Sequence, residues 1–131
     1  MVVIAAICLL AALTSADDSE DACTEAPMVV KIHADWCPSC KAIDSVWSQL
    51  GKDLGDRITL VEFDVTDRVA FAKSKATAST LGLKEFFAEY RSQTGTVAIL
   101  DCNSLEPVAI LTGERDLLKY REAIEKASHS S

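Results

Sequence analysis

The sequence has few positive charges and no run of them. Its 131 residues include 13 lysines and arginines against 20 acidic residues, a formal net charge of −7. Nucleic acid binding needs a basic surface, so this composition argues against it. A Gly-rich phosphate loop, a G-x-S-x-G motif and an obvious carboxylate pair are also absent from the sequence, which argues against the enzyme classes built on them. With five cysteines and 49% hydrophobic residues, the chain is neither a disulfide-dense mini-protein nor a disordered one.

Only one long hydrophobic run occurs, at the amino terminus. Residues 2–13 are apolar and uncharged, and small residues follow at Thr14 and Ala16. This pattern predicts a signal peptide over residues 1–16, although no lysine or arginine precedes Lys31. The alternatives are a membrane anchor within residues 2–16, for which the run is shorter than the roughly 20 residues of a spanning helix, and a buried segment. We therefore expect an exported protein, periplasmic, lumenal or secreted, in a compartment where disulfides persist.

The acidic charge is concentrated just after this run. Five acidic residues lie within residues 17–25, and the rest of the chain is nearly neutral. We interpret residues 17–27 as an acidic linker that ends at Pro27, residues 28–127 as one domain and residues 128–131 as a polar tail.

The hydrophobic patterning of the domain alternates between strands and helices. A helix is expected to open at Cys37, continue through Leu50 and stop at Gly51, and a later helix is capped by Thr66 or Asp67. The predicted strands cover residues 28–33, 58–65, 96–101 and 107–111, and the other predicted helices extend toward residues 81–83 and cover residues 84–91 and 114–127. This order gives a βαβ unit followed by a ββα unit, and hence a mixed α/β sheet with helices on both faces.

Chemistry is concentrated in the C-x-x-C motif at the start of the first predicted helix. Cys37 and Cys40 are spaced to close a small, reversible disulfide. The free N–H groups and the dipole of a helix N-terminus favour a thiolate, so we expect a lowered pKa for Cys37 and a shielded Cys40. Pro38 suits the first helical position because it needs no hydrogen-bond donor there. The N–H of Ser39 is one of the donors expected to face Cys37.

The segment Ala34-Asp35-Trp36-Cys37-Pro38-Ser39-Cys40-Lys41 resembles the active site of the thioredoxin superfamily. The resemblance extends over residues 28–127 and implies a thioredoxin-like α/β fold with about four strands, without the family's full N-terminal strand and helix. It implies that Cys37 attacks a partner disulfide, that Cys40 resolves the mixed disulfide, and that Trp36 flanks the dithiol.

The activity implied by this resemblance is thiol–disulfide exchange with protein cysteines, without a bound cofactor. We expect a monomeric reductant, with a membrane-bound electron donor as a candidate partner. The alternatives are a thiol oxidase of folding proteins and a redox-inactive binding or chaperone module of the same fold.

Two positions depart from the family pattern. Lys31 stands where thioredoxins usually carry a buried carboxylate, and Glu62 stands where they often carry a lysine. The two side chains either form a charge-swapped pair beneath the dithiol or extend separately to solvent. Gly95, ahead of Thr96, occupies the place of the family's cis-proline in the loop that faces substrates, so a trans peptide is expected there.

The segment before Gly95 is longer than its family equivalent and contains Phe86, Phe87 and Tyr90. These aromatic side chains either form a docking surface for a protein partner or pack on the sheet.

The remaining cysteines suggest a structural disulfide. Cys23 precedes the first strand and Cys102 follows the third, so both fall at the end of the sheet away from the dithiol; unpaired thiols and intermolecular pairing are the alternatives. No metal site is expected, because no second C-x-x-C or paired histidine completes a zinc site with the motif.

Overall fold

The structure, a computed structural model, describes residues 26–128. The predicted signal peptide or anchor, nearly all of the acidic linker and residues 129–131 of the polar tail lie outside the described residues, so those interpretations stay predictions. In chain order the elements are β1 Met28–His33, α1 Pro38–Ala42, α2 Asp44–Leu54, a 3-10 turn Gly55–Arg57, β2 Thr59–Asp64, α3 Arg68–Thr80, α4 Lys84–Tyr90, β3 Thr96–Leu100, β4 Pro107–Thr112 and α5 Leu117–Ser128.

The described strands form one mixed sheet in the order β2-β1-β3-β4. β1 is parallel to β2, while β3 is antiparallel to both β1 and β4. This arrangement confirms the predicted βαβ unit, the β3–β4 hairpin and the mixed α/β sheet. β1 is a central strand flanked on both sides, which explains why its sequence is almost continuously apolar.

Helices cover both faces of the sheet, as predicted. On one face Val29 and Val97 pack with α2 and α5, where Leu50 and Tyr120 are fully buried. On the other face Val30 and other core residues pack with α3 and α4. Alternate residues of β1 therefore point into different cores, and Lys31 shares the parity of Val29, toward α2.

The first helix departs from the prediction in two ways. The helix that opens at the C-x-x-C motif is interrupted at Ile43, whose backbone (φ −103°, ψ 3°) separates α1 from α2. Gly51 does not end the helix, which continues to Leu54. A side chain at residue 51 would lie 3.3 Å from the Leu60 side chain, so this glycine lets α2 approach the sheet closely. The later helix is capped by Asp67, whose carboxylate accepts a hydrogen bond from the Ala70 N–H at 2.9 Å.

None of the helices in residues 26–128 combines the length and the apolar character needed to span a bilayer.

Candidate active site

The dithiol lies where β1 passes into α1. The Cys37 N–H donates to the Ala34 carbonyl at 3.1 Å, which closes a turn directly after the strand. Cys37 is the N-cap of α1, and its sulfur accepts the backbone N–H of Cys40 at 3.1 Å. Pro38 occupies the first turn, where its missing N–H costs no helical hydrogen bond. Both Cys37 and Cys40 are free thiols and are almost completely buried.

The two sulfurs have opposite acid–base properties. Burial disfavours the Cys37 thiolate, but hydrogen bonds from the Cys40 thiol, the Thr94 hydroxyl and the N–H groups of Cys40 and Ser39 outweigh it and lower the pKa of Cys37. Burial and the hydrogen bond to Cys37 raise the pKa of Cys40 to about 11. Cys37 is therefore the sulfur that ionises first, as the sequence predicts.

Trp36 exposes its ring beside the dithiol. The side chain is 62% exposed, yet its indole N–H donates to the Thr66 carbonyl at 3.1 Å. The Asp35 N–H also donates to the Thr66 hydroxyl, at 2.9 Å. These contacts hold the apolar ring in a fixed position next to Cys37, where a partner can contact it.

Two glycines lie against the middle of the motif. Gly95 (φ +86°) and Gly113 (φ +60°) are both in the left-handed region, and the Gly113 N–H donates to the Gly95 carbonyl at 3.0 Å. A Cβ atom on Gly95 would lie 2.5 Å from the Ser39 Cβ and 3.5 Å from the Cys37 sulfur. The absence of a side chain at residue 95 is therefore what lets the loop pack against α1.

The peptide bonds throughout residues 26–128 are trans, so the expectation of a trans peptide at Gly95 is confirmed. Thr96 is the first residue of β3; its side chain is fully buried and its hydroxyl lies 3.2 Å from the Thr112 hydroxyl. The substrate-facing role of the loop at Gly95 and Thr96 stays a prediction. Thr94 and Gly113 were not predicted; they reach the site only through the hairpin geometry, and no sequence motif marks them.

Lys31 and Glu62 form the charge-swapped pair that the sequence suggested. They are register partners in β1 and β2, and the Lys31 Nζ lies 3.3 Å from a Glu62 carboxylate oxygen. The lysine side chain is 2% exposed and the Glu62 side chain is 41% exposed. The alternative of two separate solvated side chains is therefore wrong. Asp44, which sequence analysis missed, is a second carboxylate partner of the lysine at 3.2 Å.

A family model described as Thioredoxin matches residues 12–81, more than half of the 131 residues. The chain belongs to the thioredoxin family. The matched residues contain Lys31 and the dithiol but end before Gly95, so that departure lies outside the match. No curated protein sequence matches the chain.

Solved thioredoxin structures share the fold. The chain is similar to a thiol:disulfide interchange protein of the thioredoxin family from Chlorobium tepidum TLS (19% identity, TM-score 0.53, covering 78% of this chain and 79% of that one). It is also similar to MTB dsbF, solved in mixed oxidised and reduced forms (20% identity, TM-score 0.55, covering 78% of this chain and 81% of that one). A third similar structure is thioredoxin O2 from Arabidopsis thaliana in the oxidised state (18% identity, TM-score 0.50, covering 79% of this chain and 76% of that one). At these identities the similarity establishes the thioredoxin fold.

The aromatic residues of α4 belong to the core of this thioredoxin-like domain. Phe86 and Phe87 are buried, and Tyr90 is half-buried and stacks on Phe86 with ring centroids 4.8 Å apart. Phe87 packs edge-on against Phe63 at 5.3 Å. The hypothesis of a docking surface made by these three rings is therefore corrected, because their apolar area is already used in packing on the sheet and α3.

Cys102 is disulfide-bonded, and its sulfur lies 3.4 Å from the Ala127 carbonyl oxygen of α5. Cys23, the partner suggested by the sequence, lies outside the described residues, so the pairing of Cys23 with Cys102 stays a prediction. Within residues 26–128 no group of three or more His, Cys, Asp or Glu side chains is arranged to hold a metal ion.

Proposed function

We propose that the protein is an exported thiol–disulfide oxidoreductase that reduces disulfides of partner proteins through Cys37 and Cys40. The observation that carries this proposal is the asymmetry of the dithiol. One sulfur has a lowered pKa and caps a helix, and the other is fully buried with a pKa of about 11. Such a pair has one thiol that ionises more readily and can attack first, and a second thiol held back for the next step.

The exchange proceeds in two balanced steps. The Cys37 thiolate attacks one sulfur of a partner disulfide, a mixed disulfide forms, and the other partner sulfur leaves with the electron pair and takes up a proton. Cys40 then loses its proton and attacks the Cys37 sulfur, which releases the second partner thiol. Two electrons pass to the partner, and Cys37 and Cys40 become a disulfide. No cofactor is needed, because the dithiol itself is the two-electron donor.

Access to Cys37 supports a protein substrate. The sulfur belongs to a side chain only 3% exposed, so a partner has to present its disulfide at the protein surface. The exposed ring of Trp36 offers apolar contact at the residue before Cys37, and on the other side the backbone of Gly95 packs close to Ser39 and the Cys37 sulfur.

The reducing direction is supported by how the Cys37 thiolate is stabilised. Strongly oxidising dithiols of this fold have nucleophile pKa values near about 3.5, and reducing ones near about 7. Here hydrogen bonds alone lower the pKa of Cys37, and burial opposes them. None of the causes that lower this pKa is a neighbouring cation, and the lack of stabilisation by charge favours a reductant over a strongly oxidising dithiol. The membrane-bound donor, the exported location and the monomeric state are parts of the proposal that follow from the sequence.

The reduction potential of the Cys37–Cys40 pair tests the direction. The protein is equilibrated in thiol buffers of known potential, alkylated and analysed by mass spectrometry, with Cys37→Ser and Cys40→Ser as controls. A potential at or below about −220 mV supports the reductant, and one near about −120 mV would make the protein an oxidase of folding proteins. Absence of exchange, with partner binding kept by the double serine variant, would replace the proposal with a binding module.

A further inference from the structure

Lys31 is a buried cation that the exchange steps above do not use. The residue is 1% exposed because it lies on β1, an interior strand of the sheet. Its ammonium is balanced by Asp44 at 3.2 Å and Glu62 at 3.3 Å, and it lies 5.4 Å from the centre of the Trp47 ring. A buried ammonium is tolerated only with such partners, and it projects a strong field into its low-dielectric surroundings.

The resolving thiol lies against the same strand that carries Lys31. The Cys40 sulfur lies 3.6 Å from the carbonyl oxygen of Ile32, the residue next to Lys31 in β1. Asp44, which pairs with the lysine, is the first residue of α2, and α2 directly follows the short helix that carries Cys40. The lysine charge lowers the pKa of Cys40, against the larger effects of burial and of the hydrogen bond to Cys37.

We propose that Lys31 is a positioning residue for the second step of the exchange, whose ammonium stabilises the Cys40 thiolate as it attacks the mixed disulfide. Asp44 and Glu62 set how much of this positive charge Cys40 experiences. The role in exchange rests on the proposed function, whereas the effect on the Cys40 thiolate is a property of the folded protein alone.

Charge, and not proton transfer, is the means by which this lysine acts. An ammonium has three donors and no lone pair, so it cannot accept the Cys40 proton. The proton lost by Cys40 is balanced by the one that the departing partner thiolate gains. In the same step the Cys37–Cys40 bond forms, the mixed disulfide breaks and the partner sulfur leaves with the electron pair.

The arrangement predicts opposite effects for the cation and its partners. Lys31→Met leaves two carboxylates near Cys40 without their counterion, so the thiolate becomes harder to form. Glu62→Gln leaves the ammonium less neutralised, so the thiolate becomes easier to form. A general loosening of the core would instead shift formation of the Cys40 thiolate in the same direction in both variants.

Other titratable groups face this network and set the conditions of the test. The His33 ring has one nitrogen 3.8 Å from the Glu62 carboxylate and the other 3.0 Å from Asp35. Asp64, the register partner of His33, is the next acidic side chain of β2. Every variant is therefore compared with wild type at the same pH and ionic strength, so that these groups contribute equally to the rates.

The experiment follows iodoacetamide alkylation of Cys40 between pH 8 and pH 9.5, below the ordinary pKa of a lysine side chain, in a Cys37→Ala background, read at the Cys40 peptide by mass spectrometry. We expect Lys31→Met to slow alkylation at pH 9 by on the order of tenfold, the change that one pKa unit produces. Glu62→Gln should accelerate it several-fold, and Lys31→Arg should keep most of the wild-type rate. Lys41→Met is the control: this exposed lysine next to Cys40 should change the rate by less than about twofold, because water screens its charge.

Three results would overturn the proposal. They are a Cys40 alkylation rate in Lys31→Met equal to that of the Lys41→Met control, a rate in Lys31→Met faster than without that substitution, and a rate in Glu62→Gln slower than without that substitution. If Lys31→Met does not fold, Glu62→Gln and Asp44→Asn decide the sign on their own, and both should accelerate alkylation. A wild-type protein that shows these opposite shifts but exchanges no disulfide would overturn the proposed function and leave the effect of Lys31 on Cys40 supported.

Discussion

Gly95→Ala is expected to destabilise the protein more than any other glycine substitution in the dithiol region. The left-handed backbone at φ +86° costs an alanine about 1 to 2 kcal/mol. The added methyl group would also lie 2.5 Å from the Ser39 Cβ, closer than carbon atoms can approach. Ser39 can yield only by moving the turn that carries Cys37, and overpacking of this kind typically costs about 1 to 3 kcal/mol. The expected loss in the free energy of unfolding is therefore about 2 to 5 kcal/mol.

Substitutions of two other glycines separate the cost of the left-handed backbone from the cost of the steric overlap. Gly113→Ala meets the same backbone strain at φ +60° but only an ordinary contact, 3.7 Å to the Ser39 hydroxyl, so it should lose only about 1 to 2 kcal/mol. Gly55→Ala has helical dihedrals and nothing within 4 Å, so it should be neutral or stabilising by up to about 1 kcal/mol.

Equilibrium urea unfolding of the reduced protein measures all three variants, and iodoacetamide alkylation of Cys37 reports whether the turn has moved. Gly95→Ala should alter the Cys37 rate, whereas Gly55→Ala should not. A Gly95→Ala protein as stable as Gly113→Ala would refute the steric argument, and one as stable as Gly55→Ala would refute the backbone argument as well.

Three further predictions concern the order of thiol titration, a buried tyrosine hydroxyl and a carboxylate that accepts backbone hydrogen bonds. Alkylation of the reduced protein should label Cys37 at pH values where Cys40, with a pKa of about 11, stays unreactive; equal labelling of both at pH 8 would contradict the asymmetry. Tyr120→Phe should cost about 1 kcal/mol in urea unfolding, because the buried hydroxyl donates to the Glu114 carbonyl at 2.6 Å, and an unchanged midpoint would contradict this. The Asp101 carboxylate accepts the N–H groups of Asn103 and Ser104 at 2.8 and 2.7 Å, and these bonds lower its pKa. Asp101→Asn should therefore lose about 1 kcal/mol at pH 7, and its difference from wild type should shrink below about pH 4, as the wild-type carboxyl is protonated; a difference constant with pH would exclude the charge as the cause.

Much of the fold follows from the sequence because strands and helices alternate with clear hydrophobic patterns. β1 begins and ends where predicted, since its apolar run is bounded by Pro27 and the motif. The break at Ile43 was not predictable, because the helical spacing of apolar residues continues across it. Gly51 was misassigned because a glycine that ends a helix and one that permits close packing look alike in a sequence.

The site was predictable where a motif or the family resemblance fixed it. The spacing of the dithiol and the helix start predicted the order in which the thiols ionise, and the resemblance to thioredoxins suggested the pairing of Lys31 with Glu62, which are register partners in β1 and β2. Asp44 was missed because its approach to the lysine depends on how α2 crosses the sheet. The aromatic residues of α4 were ambiguous, because helical spacing alone does not distinguish a buried face from a docking face.

The two departures from the thioredoxin pattern act on different sulfurs. Gly95 packs against Ser39 and the Cys37 sulfur, on the side of the nucleophile. Lys31 lies inside, on the face of the sheet that packs against α2, and its contacts with Asp44, Glu62 and Trp47 include none of the residues around Gly95. Groups without shared contacts contribute almost independently to free energy. If both proposals hold, a change at Gly95 should alter formation of the mixed disulfide and a change at Lys31 its resolution, and each should leave the other step intact.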